Sequence, residues 1–330
     1  MKTSKLFFKT SIIAASAVLF VGKGFSQDAQ ITQQWANPLR VNPAIMGPSS
    51  DLKAILHYRS QWGAVDKGYQ TYSFTFMYPL YLKEGKHKID LGLNVMNDKE
   101  GAFNTLDFAL AVGYNVQISN SNNIALALTG GYVQKSLDAN ALTFDEQYQF
   151  GSYNASNTNG ETVLNEKIGY PDVGFGLMWN FSLSDNENLE AYLGVSGYHM
   201  NEPNMTLSDG TGKLPRKLLF QGGLKVKTDD KVDFTPNCLV ISQNNKNELL
   251  AGLSVDYRFN ETITLLVGGW YRNPDALAFM IGGEAKGFQI AYSYDIPNSN
   301  INRAISKLTT HEITLSYRMN MKKEATAASY

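Results

Sequence analysis

Cysteine is almost absent. A single thiol, Cys238, stands in 330 residues, so no internal disulfide holds the fold. Histidine is nearly as scarce. His57, His87, His199 and His311 are scattered without metal-ligand spacing. There is no Gly-x-Ser-x-Gly elbow and no Gly-x4-Gly-Lys-Ser/Thr loop, which removes two common hydrolase and nucleotide-binding signatures. No nucleophile can be paired with a base, so the chain is expected to be non-enzymatic, with no cofactor and no metal. An outer-membrane hydrolase is the weakest of three functional classes considered. Charge of one sign is also missing. Lys and Arg number 29 against 30 Asp and Glu, and no basic block points to nucleic acid. Long apolar runs are lacking too. The run Ile12–Val21 is about ten residues, half of the roughly 20 that a spanning helix needs.

That short run follows Lys2, Lys5 and Lys9 and precedes Gly24-Phe25-Ser26. The order charged, apolar, small is that of a cleaved secretory signal peptide, residues 1–26. Residues 27–51 carry two Asn-Pro pairs, Asn37-Pro38 and Asn42-Pro43. Proline removes a donor and restricts its predecessor, so this segment is turn or extended chain rather than sheet. It is expected inside or beneath the strand-rich region, 52–320.

From 52 to 320 the dominant signal has period two. Leu106, Phe108, Leu110, Val112, Tyr114 and Val116 share one parity, and Thr105, Asp107, Ala109, Ala111, Gly113 and Asn115 the other. Such alternation marks strands with one oily and one wet or small face. Fourteen stretches read this way, including 88–97, 104–117 and 171–182. Most have the length of a tilted transmembrane strand. The mean hydropathy of −0.24 suits a barrel whose polar lumen dilutes its lipid face. The expected fold is therefore all-β, a transmembrane antiparallel β-barrel of about 14 strands, in the bacterial outer membrane, with a short periplasmic tail at 321–330.

Connections separate this from a soluble sandwich. Links after even-numbered strands are all short, whereas the three longest, 136–170, 199–216 and 295–310, follow odd-numbered ones. Aromatic residues near strand ends fit interfacial girdles: Tyr58, Tyr78, Tyr81, Tyr114, Tyr132, Trp179, Phe181, Tyr198, Tyr257, Phe259, Trp270, Tyr271, Tyr294 and Tyr317. Leu219 and Leu266 fall on the inward parity, so part of the interior is expected to be packed and dry. Pro236 interrupts a strand, and a bulge or a rim position is expected to accommodate it.

Asp90, Asp107, Asp256, Arg258, Glu284, Glu312 and Arg318 are charges on inward faces. They suit either a pore or docking site, or ion pairs bracing the interior. The loop 136–170 offers Tyr148, Phe150 and Tyr153 as contacts for a surface partner, unless it is an unbound loop.

The landmarks also occur in a telling order. Gln33-Gln34-Trp35, Asn37-Pro38-Leu39, Asn42-Pro43-Ala44 and Gly47 come first. Tyr58-Arg59-Ser60-Gln61-Trp62 is next, and Tyr292-Ser293-Tyr294-Asp295 with His311-Glu312 to Tyr317 closes the chain. This series resembles the PorP/SprF family of type IX secretion outer-membrane proteins, with Ile45-Met46 as a departure. The resemblance implies a non-enzymatic barrel working with type IX secretion components. Such members assist secretion or surface anchoring of cargo proteins bearing a C-terminal sorting domain, gliding adhesins among them. Some connect to a periplasmic peptidoglycan-binding partner. The competing class is an outer-membrane channel for small molecules.

Overall fold

The computed structural model describes residues 31–49, 51–63, 68–82, 87–119, 121–138, 141–149, 151–154, 156–157, 166–184, 188–207, 211–228, 231–273, 276–298 and 308–321. The signal-peptide expectation, Phe150, and Lys322, Lys323 and Glu324 of the tail lie outside the described residues.

Alternation becomes sixteen strands: β1 Asp51–Gln61, β2 Tyr69–Tyr81, β3 His87–Glu100, β4 Phe103–Ser119, β5 Asn122–Leu137, β6 Tyr148–Gln149, β7 Ser152–Tyr153, β8 Lys167–Ser182, β9 Leu189–Tyr198, β10 Lys217–Lys227, β11 Val232–Gln243, β12 Lys246–Arg258, β13 Ile263–Asn273, β14 Ala276–Ala285, β15 Phe288–Pro297 and β16 Thr310–Asn320. Fourteen close into one antiparallel barrel, and β6 with β7 forms a separate small hairpin. Within the barrel β5 pairs with β8, and β1 seals against β16 from Asp51↔Asn320 to Gln61↔Thr310. Closure leaves no unpaired sheet edge, which a bilayer requires.

The strands are longer than the oily alternation. β3 continues through Asn97, Asp98, Lys99 and Glu100 and turns at Gly101, φ +62°, into Phe103 of β4. Alternation marks only the length that touches lipid, whereas the ladder goes on into water. For the same reason β8 begins at Lys167. The long loop therefore shrinks to 138–166 and contains a 3-10 turn, Asp145–Gln147, and the β6–β7 hairpin.

Parity sorts the side chains. Leu128, Ile118, Ile290, Ile281 and Phe279 are among many large apolar groups more than half exposed on the outer face. A belt of that kind is a liability in water and a requirement in lipid. Inside, Tyr198, Leu219, Leu239, Leu250, Leu266, Trp270 and Met280 share one buried cluster, so Leu219 and Leu266 do build a dry interior sector.

Two expectations need correction. Tyr198 and Trp270 are not girdle residues, because both point inward and are buried. Tyr81 likewise shares the inward parity of Thr75 and Met77 and lines a lumen cavity. Nearness to a strand end fixes height and not face. Pro236 sits neither at a bulge nor at the rim. It lies within β11, in regular register with Leu253 of β12. Towards β10 the ladder passes from Gly223↔Asn237 to Val226↔Phe234 without a shift. The missing N–H is absorbed by skipping two pairs rather than by inserting a residue.

Candidate functional site: the plugged lumen

Residues 31–49 thread the lumen. Proline opens each of two helical turns, an α-helical turn Pro38–Val41 (α1) and a 3-10 turn Pro43–Met46, where its fixed φ is favourable and no donor is lost. Asn42, extended before Pro43, accepts the Ala44 N–H at 2.9 Å. Its amide nitrogen donates to the wall carbonyls of Leu177 and Val195, at 3.0 and 3.4 Å. Asn37 Oδ1 accepts from Asn94 Nδ2 at 2.7 Å and from Thr75 Oγ1 at 3.4 Å. Each asparagine thus shapes the segment or ties it to the barrel, and both are buried. Small wall residues make room: a Cβ on Gly176 would come within 2.2 Å of Asn42 Oδ1.

The loop-end latch is ionic. The backbone N–H groups of Thr32 and Gln33 donate to the two oxygens of Glu312, each at 2.9 Å. Arg59 Nε lies 3.1 Å from Glu312 Oε1, an ion pair outside hydrogen-bond geometry. Thr314 donates to Gln33 Oε1 at 2.7 Å, and Thr32 Oγ1 donates to Asp295 at 2.7 Å. Arg272 joins this group through Thr32 Oγ1 at 2.9 Å and Asp295 at 3.1 Å. Halfway down, Arg40 pairs with Asp107 at 2.6 Å, and Tyr198 donates to Leu39 O at 2.5 Å. At the short-turn end Lys88 donates to Met46 O at 2.9 Å and to Ser49 O, and pairs with Asp90 at 2.7 Å. Apolar contact fills the gaps. Met46 and Leu39 pack with Ile55, Met77 and Ala111, and Ile45 packs against Ala44, Ala125, Ala127 and Met178.

The inward charges therefore have partners. Arg258 forms a bidentate pair with Asp233, both contacts 2.8 Å, and Lys225 reaches the same carboxylate at 3.1 Å. Arg318 pairs with Glu284 across β15. Asp256 differs. Among the described residues it reaches no cation within 4.0 Å, and Lys53 likewise reaches no carboxylate.

The remaining landmark residues divide by face. Arg59, Gln61, Asp295 and Glu312 face the lumen, with Arg59 donating to Gln61 Oε1 at 2.6 Å. Tyr58 and His311 lie outside, Tyr58 against Tyr72 at 4.9 Å and His311 Nδ1 2.7 Å from the Tyr292 hydroxyl. Trp62 closes the rim with φ +57° and its N–H on Thr309 O. Tyr148 and Tyr153 face each other across the β6–β7 hairpin, rings 5.4 Å apart and exposed. Arg40, Lys88, Asp233 and Arg272 have leading parts that sequence reasoning missed. Inward parity marks the last three, but nothing in the sequence pairs them with partners.

Among the described residues, besides a much smaller one by Leu39, Arg40, Asn94 and Asp107, two sizeable cavities lie between plug and wall in the short-turn half. One, about 420 Å³, is lined by Asn115, Asn123, Asn180, Ser119 and Tyr81. The other, about 390 Å³, has Trp35, Val41 and Ile45 of the plug on one side and Leu266, Trp270 and Met280 on the other. Among the described residues no group of three His, Cys, Asp or Glu could hold a metal ion, and no helix is long and apolar enough to cross a membrane.

Similar barrels are found among solved structures. The Ralstonia pickettii toluene transporter TbuX matches with TM-score 0.53 and 10% identity, over 86% of this chain and 92% of that one. The Pseudomonas putida toluene transporter TodX gives 0.52 and 11%, over 90% and 99%. A Pseudomonas aeruginosa FadL homologue gives 0.51 and 12%, over 90% and 99%. At such identities the likeness is one of fold alone. No curated protein matches the chain. Residues 23–317 match the family described as type IX secretion system membrane protein PorP/SprF, and the chain belongs to that family.

Proposed function

We propose that this protein is a non-enzymatic component of the type IX secretion machinery in the outer membrane. It assists secretion or surface anchoring of a cargo protein, such as an adhesin bearing a C-terminal sorting domain. The short turns face the periplasm and the long loops face outward, as in other barrels of this kind. The observation that carries the reading is the latched lumen. Residues 31–49 are bound at both ends, by Glu312 and by Lys88, so the working surfaces are the two rims rather than a bore. The exposed Tyr148–Tyr153 pair offers an aromatic contact for cargo at the outer rim. A periplasmic peptidoglycan-binding partner would meet the turns.

Deleting the gene and assaying surface display of the cognate adhesin tests this. Lost display with normal synthesis supports it, and normal display and secretion refute it. Restoring a Tyr148→Ala, Tyr153→Ala double variant should return the barrel but only part of the display. A small-molecule channel is the second reading, favoured by the fold shared with toluene transporters. Planar-bilayer recording separates the two: a steady open conductance of the purified protein supports the channel, and silence supports the anchor.

A further inference from the structure

The 390 Å³ cavity combines two features with independent origins. Its inner end is apolar, formed by Trp35 and Ile45 of the plug and by Trp270 and Met280 of the wall. Its mouth, towards the short turns, carries Lys53 and Asp256, two charges of opposite sign. Every other charge lining it is paired, Arg318 with Glu284. Neither Lys53 nor Asp256 has an opposite charge within 4.0 Å among the described residues; Asp51 and Glu284 act on Lys53, and Lys225 and Arg258 on Asp256, only from farther away. They lie on β1 and β12, on either side of the Arg318–Glu284 pair, too far round the barrel to neutralise each other. Unpaired charges beside apolar surface are costly unless something outside the protein completes them. The volume is at the low end for a ligand pocket, enough for one large side chain with short flanks.

We propose that this cavity receives a peptide segment of a periplasmic partner, one that presents a large apolar or aromatic side chain between an acidic and a basic residue. The apolar side chain enters against Trp270 and the underside of the plug. The acidic flank meets Lys53 and the basic flank meets Asp256. A hydrocarbon would use the inner end and leave both charges unanswered, and a zwitterionic phospholipid headgroup holds its phosphate and ammonium too close together to reach from β1 to β12. Charge complementarity of both signs favours the peptide. The inference rests on the proposed orientation, with the short turns facing the periplasm, and does not depend on which cargo is carried.

The test uses the full-length mature protein in detergent micelles. The probes are acetyl-Glu-(4-bromo-Phe)-Lys-amide, its neutral analogue with Gln at both flanks, and toluene. Trp35 and Trp270 line the cavity, so the bromo ring should quench tryptophan fluorescence on binding. The charged peptide should bind at least tenfold more tightly than the neutral one, and the preference should fall with added salt. Lys53→Gln and Asp256→Asn should each remove most of that preference while leaving the heat-modifiable barrel intact. Neither residue makes an ion pair or hydrogen bond to the described plug residues, so the fold is expected to persist. A lipid-facing control, Leu253→Ala, should change nothing. Equal binding of both peptides, a preference that survives both substitutions, or saturable toluene binding without peptide binding would each overturn the proposal.

Discussion

Glu312 is where the plug is most exposed to perturbation. Its carboxylate is fully buried and accepts the N–H groups of Thr32 and Gln33 while neutralising Arg59. In Glu312→Ala both N–H groups lose their acceptor and one buried guanidinium loses its counter-ion. Removing one member of a buried ion pair costs about 3–5 kcal/mol, and each orphaned N–H adds about 1–3 kcal/mol if it stays dry. Water entering the rim would relieve the N–H groups once the segment lifts, so the charge sets the scale for release. About 3 kcal/mol corresponds to roughly a hundredfold change in the ratio of seated to released plug. A cysteine at Gln34, in a Cys238→Ala background, reports this through its rate of reaction with a membrane-impermeant maleimide. The rate should rise about a hundredfold in Glu312→Ala, as expected from that free energy. It should not rise in Leu315→Ala, which alters the outward face of the same strand. Single-channel recording should show intermittent conductance in the first variant and none in the second. Equal labelling in the two would refute the latch.

Other perturbations follow the same geometry. Gly47→Ala places a Cβ 2.2 Å from that of Ala125, and overpacking of this kind costs about 1–3 kcal/mol; a lower urea midpoint for barrel unfolding would show it. Pro236→Val restores a ladder donor towards β10 and should raise the unfolding temperature by a few degrees, with an unchanged or lower value counting against the broken-ladder account. Leu128→Arg puts a charge on the lipid face of β5, at a cost of about 2–4 kcal/mol near mid-depth, and should reduce folding yield into vesicles, whereas Phe103→Arg at the rim should be tolerated.

Much of this fold is legible because a bilayer enforces strict parity. All fourteen barrel strands are visible as alternation, and the inward charges follow once one face is oily. Parity fails where lipid is not the judge. Trp270 and Tyr198 are large and aromatic, yet the plug gives them a dry interior to face. The end of β3 is polar on both faces, and the start of β8 turns Lys167 and Gly169 outward over inward Ile168 and Tyr170, so the sequence marks no lipid-facing strand at either. The plug itself shows only as two Asn-Pro pairs. Its partners, Thr75, Asn94, Leu177 and Glu312, are distant in sequence, and no local pattern announces them. The same limit hides that Lys53 and Asp256 have no opposite charge within 4.0 Å among the described residues, which depends on strands far apart in sequence.

The plug also bears on how the molecule is made. Thr32 and Gln33 precede every described strand, yet their partners Ser293, Asp295, Glu312 and Thr314 belong to the last two, about 260–280 residues later. Loop closure over such a span comes late. The leading end of the chain must wait, unfastened, while the wall is laid down strand by strand. Its docking and the stitching of β1 to β16 draw on the same final hairpin. A cylinder that sealed with that hairpin out of register would have no carboxylate to greet Thr32. Proper seating of Thr32 and Gln33 thus records that the last strands arrived in place.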